Sequence, residues 1–467
     1  MTLPRRANKR ERGGHALPVA WKGASMRIVI IGGEAAGMSA AAKARRLAKE
    51  ADIVVYEASE VISFGACGLP YFVGDEFQEP GYMAEFTPEQ FAAKGIEVKT
   101  GHRVLGLDAA AQTLTVEHKG DIFTDRYDRL MIATGAREVM PPIPGLQQEG
   151  VFGLRRMADG LALKAAVQDK ANSRALVIGS GFIGLEVVEA LVHQGKEVRL
   201  IELAERVIPD AFDGEITQHI ETELREQGVS LHLGERVEAL LGEGRVTGVR
   251  TSHGEYEADI VVVCTGVKPN TEFLADTGIE RLGNGAIKVD RQGRSSLANV
   301  WSAGDCASVW HGVKQQQVYV PLATIANKLG RMVGENLAGA EQEFPGTLGS
   351  AALKVLGLEA GRTGLSEQEA KAMGIDYRTV VIKDKCHTNY CPGQSDIHVK
   401  LVYEAGSKRL LGGQILGRKG AVHRIDALAV AITMGVTTEQ LGMLDFAYAP
   451  PFSRTWDVLN VAGNVAK

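Results

Sequence analysis

Arg27-Ile28-Val29-Ile30-Ile31-Gly32-Gly33-Glu34-Ala35-Ala36-Gly37 is the stretch on which the fold turns. One cation and four β-branched residues make a short buried-strand pattern, and the glycines that follow open an Ala-rich helix pattern running to about Lys49. The next strand pattern, Asp52 to Tyr56, delivers Glu57, an acid 20 residues after Gly37. Strand, glycine turn, helix, strand and acid in that order form a dinucleotide-binding fingerprint. The glycines allow the tight turn, the helix N-terminus receives a pyrophosphate, and the carboxylate accepts from ribose hydroxyls. Gly32, Gly33, Ala36, Gly37 and Glu57 are therefore the first nucleotide-binding candidates. One position departs: Glu34 stands at the second glycine site, where backbone must approach phosphate, so its side chain has to turn away.

One imperfect motif is weak evidence, but a second lies 147 residues on. Ala175-Leu176-Val177-Ile178 leads into Gly179-Ser180-Gly181-Phe182-Ile183-Gly184, an intact G-x-G-x-x-G, and the strand pattern Glu197 to Ile201 ends at Glu202, 18 residues after Gly184. Two fingerprints, each with its acid, call for two dinucleotides. Glu202 predicts NADH over NADPH, because a carboxylate there accepts from a 2′-hydroxyl and repels a 2′-phosphate; Arg206, four residues on, softens that preference. Two further segments read as strands ending in glycine turns: Tyr127 to Ile132 before Ala133-Thr134-Gly135, and Val300-Trp301-Ser302-Ala303 before Gly304-Asp305-Cys306. Asp305 is placed either to bond a ribitol or to cap a helix.

Beyond the first fingerprint by about ten residues, Val61-Ile62-Ser63-Phe64-Gly65-Ala66-Cys67-Gly68-Leu69-Pro70-Tyr71 presents a lone thiol. No Cys-x-x-Cys or Cys-x4-Cys is present, the next cysteine being Cys264. Such a thiol works only as thiolate, which a helix N-terminus, a cation or an electron-poor ring favours. The plainer reading is a small buried hydrophobe.

Composition sets the bounds. The length of 467 residues suits about three domains, and hydrophobic residues at 45% give several cores. A net charge of -5 excludes a basic nucleic-acid footprint. No apolar run reaches the roughly 18 residues of a membrane span. Five cysteines in such a chain fit a reducing cytoplasm. Residues 1–25 are basic, broken by Gly and Pro, and lack a secretory h-region; they read as a disordered extension, with a lipid- or RNA-binding arm as the alternative.

The two fingerprints, the Ala-Thr-Gly turn and the Gly-Asp turn, in this order, resemble the FAD-dependent pyridine nucleotide-disulfide oxidoreductases. The segments Ser63 to Tyr71, Pro321 to Lys328, His387 to Gly393 and Tyr448-Ala449-Pro450-Pro451-Phe452-Ser453 are similar to the single-cysteine branch of coenzyme A disulfide reductases, NADH oxidases and persulfide reductases. The resemblance covers about residues 26 to 467. It implies an α/β fold of two Rossmann-like domains, for FAD and NADH, plus a C-terminal α+β dimerisation domain. The FAD domain would be split over 26–145 and 272–343, the NADH domain would occupy 146–271, and 344–467 would hold short strands and a helix near Arg424 to Met434. Pro141-Pro142-Ile143-Pro144-Gly145 and Lys268-Pro269-Asn270 mark the two linkers.

The same resemblance implies the chemistry. NADH, or NADPH, would reduce FAD, and electrons would pass to Cys67, held as a mixed disulfide with coenzyme A or another oxidised sulfur species. The freed thiolate attacks the next coenzyme A disulfide, persulfide or polysulfide. Phe182, Ile183, Glu186, Gly266, Gly304, Asp305, Pro321, Leu322 and Ala323 would join the glycines in holding the two cofactors. Ser39, Lys43, Arg46, Ser63, Phe64, Lys94, Asn327 and Lys328 would hold the substrate, Lys43 and Arg46 facing coenzyme A phosphates from one helix face. Ordinary solvated charge is the plainer reading of that pair. Oxidase relatives carry a histidine where this chain has Ala35, which favours sulfur reduction over an NADH oxidase reducing oxygen. A reductase feeding a small electron-transfer protein is the alternative from another class. Tyr390 and Tyr448 would reach Cys67 from the other subunit of a homodimer. Ala66 and Cys391 depart from the family's Asn and second Tyr. Cys386 with Cys391 as a second redox pair stands beside simple packing, which is also the reading of Cys264 and Cys306. No histidine-cysteine spacing suggests a metal.

Overall fold

The computed structural model describes residues 25–467, so the extension expected over 1–25 lies, apart from Ser25, outside the described residues. Arg27–Ile31 forms the expected strand and pairs in parallel with Asp52–Tyr56 on one side and Arg129–Ile132 on the other. Ile28, Val29 and Ile30 are fully buried because both faces of this parallel sheet are covered. Each such side chain contributes about 1.5–3 kcal/mol on burial. Glu97–Lys99 and Val300–Ser302 complete a five-stranded sheet, the latter although the whole second sheet intervenes in sequence.

The second sheet repeats the plan. Arg174–Ile178 lies between Glu197–Ile201 and Ile260–Val263, with Ser230–His232 and Val151–Phe152 at the edges, all parallel. Each sheet carries an antiparallel three-stranded appendage, 102–126 on the first and 237–257 on the second. Outgoing and returning linkers run side by side, Ala136–Glu138 pairing with Val267–Pro269. Asn270 and Thr134 exchange bonds there: the Thr134 hydroxyl donates to the Asn270 carbonyl at 2.7 Å, and the Asn270 amide donates back at 3.0 Å.

Two helices from distant sequence, Ala35–Leu47 and Ala323–Leu337, meet backbone to backbone. A Cβ added at Gly330 or Gly334 would lie 2.4 Å from the carbonyl oxygens of Ala36 and Ala40, so only small residues allow this approach. The C-terminal region is a five-stranded antiparallel sheet, order 351–355, 358–364, 410–417, 396–404, 377–385, with the helices Ala421–Thr433 and Val458–Val465. Its strands differ from the short ones expected: Tyr377–Lys385 and Asp396–Glu404 each run nine residues, the first half-buried with exposed positions between and the second buried along most of its length. No helix among the described residues is long and apolar enough to cross a membrane.

Candidate active site

Both glycine turns adopt the geometry their sequences demand. Gly32 and Gly179 have φ of +109° and +97°, and a Cβ there would stand 2.1 and 2.5 Å from the carbonyl oxygens of Ala133 and Cys264. Gly37 and Gly184 sit against their own turns, a Cβ falling 1.9 and 2.0 Å from the Gly32 and Gly179 oxygens. The acids close each turn. Glu57 accepts from the amides of Gly33 and Ser59, both at 2.7 Å. Glu202 accepts from the Ser180 amide at 2.8 Å, the Ser180 hydroxyl at 2.7 Å and the Ala204 amide at 2.8 Å. Arg206 is committed elsewhere, donating to the Phe212 and Pro209 carbonyls and to Gln368.

Glu34 turns as its position requires. Its carboxylate lies 3.5 Å from the Arg155 guanidinium, which also stands 3.4 Å from Asp305. Burial pushes both carboxyl pKa values up, and Arg155 pulls them back. No helix starts at Asp305, which sits in a turn, so the capping alternative falls away; Tyr319 donates to its carbonyl at 3.0 Å. Ala133, Thr134 and Gly135 form the turn after the strand Arg129–Ile132, and Gly304 the turn after Val300–Ser302. Gly266 lies where the linkers cross, its carbonyl accepting from the Val139 amide at 2.9 Å. Pro321 and Leu322 lead into the helix that begins at Ala323.

Cys67 lies in a single 3₁₀ turn, Ala66–Gly68, at the head of the helix Leu69–Val73, with its side chain exposed. Ser63, in the left-handed region at φ +50°, ties this loop to the first glycine turn, its amide donating to the Gly33 carbonyl at 2.8 Å. Phe64 is buried beneath. A cleft of about 470 Å³ opens alongside, lined by Ser63, Gly65, Gly68, Phe77, Tyr82, Met83 and Glu85. Although the residue reaches the surface, the protein crowded around its sulfur raises the thiol pKa on balance: partial burial leads, Glu186 adds to it, Arg155 opposes and Asp305 adds again. Glu186 lies on the helix Phe182–His193 with Phe182 and Ile183; burial and then the Glu189 charge push its carboxyl to about 7, against a hydrogen bond from Tyr71.

The substrate candidates gather along the two touching helices. Ser39 donates to Asn327 at 2.8 Å. Lys43 is not a free cation as the sequence suggested, since its ammonium pairs with Glu335 at 3.1 Å. Arg46 and Lys328 are exposed. Lys94 sits over the Phe86 and Phe91 rings at 4.9 and 5.1 Å.

Tyr390 and Tyr448 are brought together, hydroxyl to hydroxyl at 3.3 Å, on a face where they are 69% and 43% exposed beside Phe452 and Trp456. Neither hydroxyl bonds Cys67 of the same chain among the described residues. All five cysteines are free thiols. Cys386 is buried with its sulfur 3.0 Å from His387 Nδ1, while His387 Nε2 faces the Cys391 carbonyl at 3.2 Å, so an imidazole bridges the two cysteines of the suggested pair. Away from these groups, Glu76, Glu189 and His193 bring ligand atoms within 4.8 Å of one another, but Lys354 already pairs with Glu189.

Sequence reasoning missed Arg155, Tyr71 and Tyr319. Leu154-Arg155-Arg156 stands at no fixed offset from any motif, and only the folded chain shows which arginine reaches Glu34 and Asp305.

Comparison with known proteins adds the following. A family model for the pyridine nucleotide-disulphide oxidoreductases matches residues 26–330, and one for their dimerisation domain matches 350–458. An NAD(P)H coenzyme A polysulfide/persulfide reductase of Pyrococcus horikoshii is 39% identical over 94% of this chain and 98% of its own. An NADH oxidase of Enterococcus faecalis is 34% identical over 94% and 99%. The solved structure of an NAD-dependent persulfide reductase from A. fulgidus superposes with a TM-score of 0.91 at 38% identity, covering 94% of this chain and 83% of that one.

Proposed function

We propose, from the premise that this chain belongs to the pyridine nucleotide-disulphide oxidoreductase family, that it reduces coenzyme A polysulfide, persulfide or disulfide through Cys67. It is an FAD-dependent NAD(P)H oxidoreductase acting on sulfur groups. The turns fit their cofactors: positive-φ glycines, helix N-termini and paired carboxylates at Glu57 and Glu202 are what a flavin dinucleotide and a pyridine dinucleotide require. When bound, they carry hydride and then two electrons toward sulfur.

The observation that supports Cys67 as the working group is its exposed thiol, without a thiol partner, fastened through Ser63 to the first glycine turn. Its thiolate attacks a substrate S–S bond, a Cys67–S–S–R bond forms, and the other sulfur leaves as thiolate. Two electrons from NAD(P)H then break the new bond, the R–S fragment leaving as a second thiolate and Cys67 returning as thiolate. Ser39, Arg46, Lys94, Asn327 and Lys328, with Lys43 held by Glu335, are proposed to receive the coenzyme A adenylate. Glu202 favours NADH over NADPH, and Arg206, spent on carbonyls, offers no relief to a 2′-phosphate. The exposed aromatic face around Tyr390 and Tyr448, within the region matched by the dimerisation model, supports a homodimer whose tyrosines serve the partner's Cys67. The free cysteines support a reducing cytoplasm.

An NADH oxidase is the competing reading, supported by the relative of that name; Ala35, with no imidazole to serve oxygen chemistry, favours sulfur. Oxygen consumption beside coenzyme A disulfide turnover in the wild type separates them, and Cys67→Ser tests the thiol. The variant should keep FAD, be reduced by NADH more efficiently than by NADPH in stopped flow, and lose coenzyme A disulfide turnover by about a thousandfold or more. Retained disulfide turnover would move the chemistry to another group.

A further inference from the structure

Tyr390 and Tyr448 stand on two irregular loops, 386–395 and 446–453, and no regular hydrogen-bond ladder fixes either. A backbone of this kind is held by whatever satisfies its polar groups. One side chain does so for both. Arg424, on the helix Ala421–Thr433, sends Nη2 to the Cys386 carbonyl and to the Phe452 carbonyl, each at 3.2 Å. Its Nη1 donates to the Gly420 carbonyl at 2.9 Å, and Nε donates to Asp457 at 2.9 and 3.3 Å.

Asp457 in turn caps the last helix, accepting from the Leu459 amide at 3.0 Å. The guanidinium is therefore anchored on two helices while it grips both loops, and it is only 13% exposed. Gly420, at φ +73°, leaves the room this needs, since a Cβ there would stand 2.8 Å from Nη1. The loops also touch directly, Thr388 reaching the Pro450 carbonyl through its hydroxyl at 2.9 Å and its amide at 3.4 Å. Only arginine presents a planar fork of donors wide enough for two carbonyls and a carboxylate at once, so lysine is no substitute here.

We propose that Arg424 is the positioning residue of the two tyrosine hydroxyls, fixing them 3.3 Å apart for the sulfur reaction. The inference rests on the reading above, in which those hydroxyls serve Cys67 of the second subunit. The Arg424 guanidinium is committed to protein carbonyls and Asp457, so it acts through the loops. Displacing a positioned group by about 1 Å costs on the order of a hundredfold in rate, so the effect belongs in kcat, not in KM.

The test is a cycle of variants on the full-length dimeric holoenzyme: Arg424→Lys, the pair Tyr390→Phe with Tyr448→Phe, and all three together. Coenzyme A disulfide turnover, flavin reduction by NADH and sedimentation are measured on each. Arg424→Lys should lower kcat about tenfold or more with KM and NADH-driven reduction unchanged, and should add less than twofold in the double-Phe background. If the double-Phe variant turns over at the wild-type rate, the reading of the tyrosines fails. If it is slow but Arg424→Lys slows it again by the full factor, Arg424 does not act through them and the inference is overturned. Should Arg424→Lys fail to form dimers, Gly420→Ala crowds Nη1 while keeping the Arg424–Asp457 pair, and goes through the same cycle with the same criteria.

Discussion

The first nucleotide-binding unit puts Glu34 where the second has Gly181, and around that one residue the two mouths diverge. Both turns share the positive-φ glycine, the helix pressed on its own turn and the carboxylate closing the loop. At Gly181 a Cβ would meet nothing within 4 Å, so that mouth is open. At Glu34 a charged cluster with Arg155 and Asp305 occupies the rim, and the same turn is tied through Gly33 and Ser63 to Cys67. The units are also anchored by different chemistry. The first closes on its own returning helix, Gly330 and Gly334 lying against Ala36 and Ala40 in an apolar backbone contact. The second meets the C-terminal sheet through ions as well as apolar packing: Lys400, fully buried, lies 2.9 Å from Glu215 and 3.4 Å from Asp213, while Leu353, Val355 and Leu416 pack on the helices of that unit. A shared fold thus fixes how a dinucleotide is held, while the rim and the anchor decide what each unit can be coupled to.

Equivalent substitutions should break the two halves separately, and this is the largest effect expected. Gly32→Ala drives a Cβ into the Ala133 carbonyl and Gly179→Ala into the Cys264 carbonyl, each at a backbone angle alanine resists. Several kcal/mol of local strain, by the scale of a core overpacking of about 1–3 kcal/mol plus the angle, is enough to open a turn. Gly32→Ala should emerge from purification without FAD. Gly179→Ala should keep FAD, read by its visible absorbance, and lose reduction by NADH. Loss of flavin from both variants would mean that the units are not independent.

Most of this plan was legible because fingerprints are local. Strand, turn, helix and acid fall within about 30 residues, and steric necessity ties each glycine to its place. Rim and anchors were not legible, since they join residues far apart: Arg155 to Glu34 and Asp305, Lys43 to Glu335, Lys400 to Glu215. Lys43 shows the cost of reading charge from sequence, its neighbour on the second helix having no local signature. The length of the C-terminal strands was missed because the run Val380-Val381-Ile382 hides the alternation and Asp384 puts a charge on the half-buried side.

Acid should loosen the second unit before the first, a moderate effect. His219 on the helix Gly214–Glu226 meets His398 on the C-terminal sheet, ring centroids 3.9 Å apart. Burial, His219 and Lys383 hold His398 down at about 4, against Asp396, and burial also lowers His219. A histidine depressed in the docked state gives stability that is whole above its free pKa of about 6.5 and is lost as pH falls toward 4. The loss from His398 is at most about 1.4 kcal/mol per pH unit, reduced by solvent screening at this partly solvated pair. Amide protection factors, corrected for the intrinsic pH dependence of exchange, should therefore fall in the helix 214–226 between pH 7 and pH 5, with those of the helix 35–47 unchanged. His398→Gln should remove most of that dependence, and an equal response in both helices would erase the contrast in anchors.

The smallest effect tests the rim itself. Glu34 has an extended backbone, φ −94° and ψ −155°, which any residue adopts, so glycine is not needed there for shape. Glu34→Gly would add chain flexibility worth about 0.5–1 kcal/mol and blur the result; Glu34→Gln keeps the side-chain volume and removes only the charge. Two consequences follow from the contacts. Arg155 loses one of its two carboxylates and keeps Asp305, so it stays in place with more of its charge uncompensated. The turn, meant for a pyrophosphate, loses an anion beside its helix N-terminus, where negative charge belongs to the ligand. Both changes favour flavin phosphate binding, each by no more than about 1 kcal/mol at a partly solvated site. Glu34→Gln should therefore retain FAD a few-fold more tightly during dialysis against chaotropic salt, with turnover unchanged within a factor of two. A clear loss of FAD would show that the carboxylate holds the rim together through Arg155, and the first unit would then differ from the second in architecture as well as in charge.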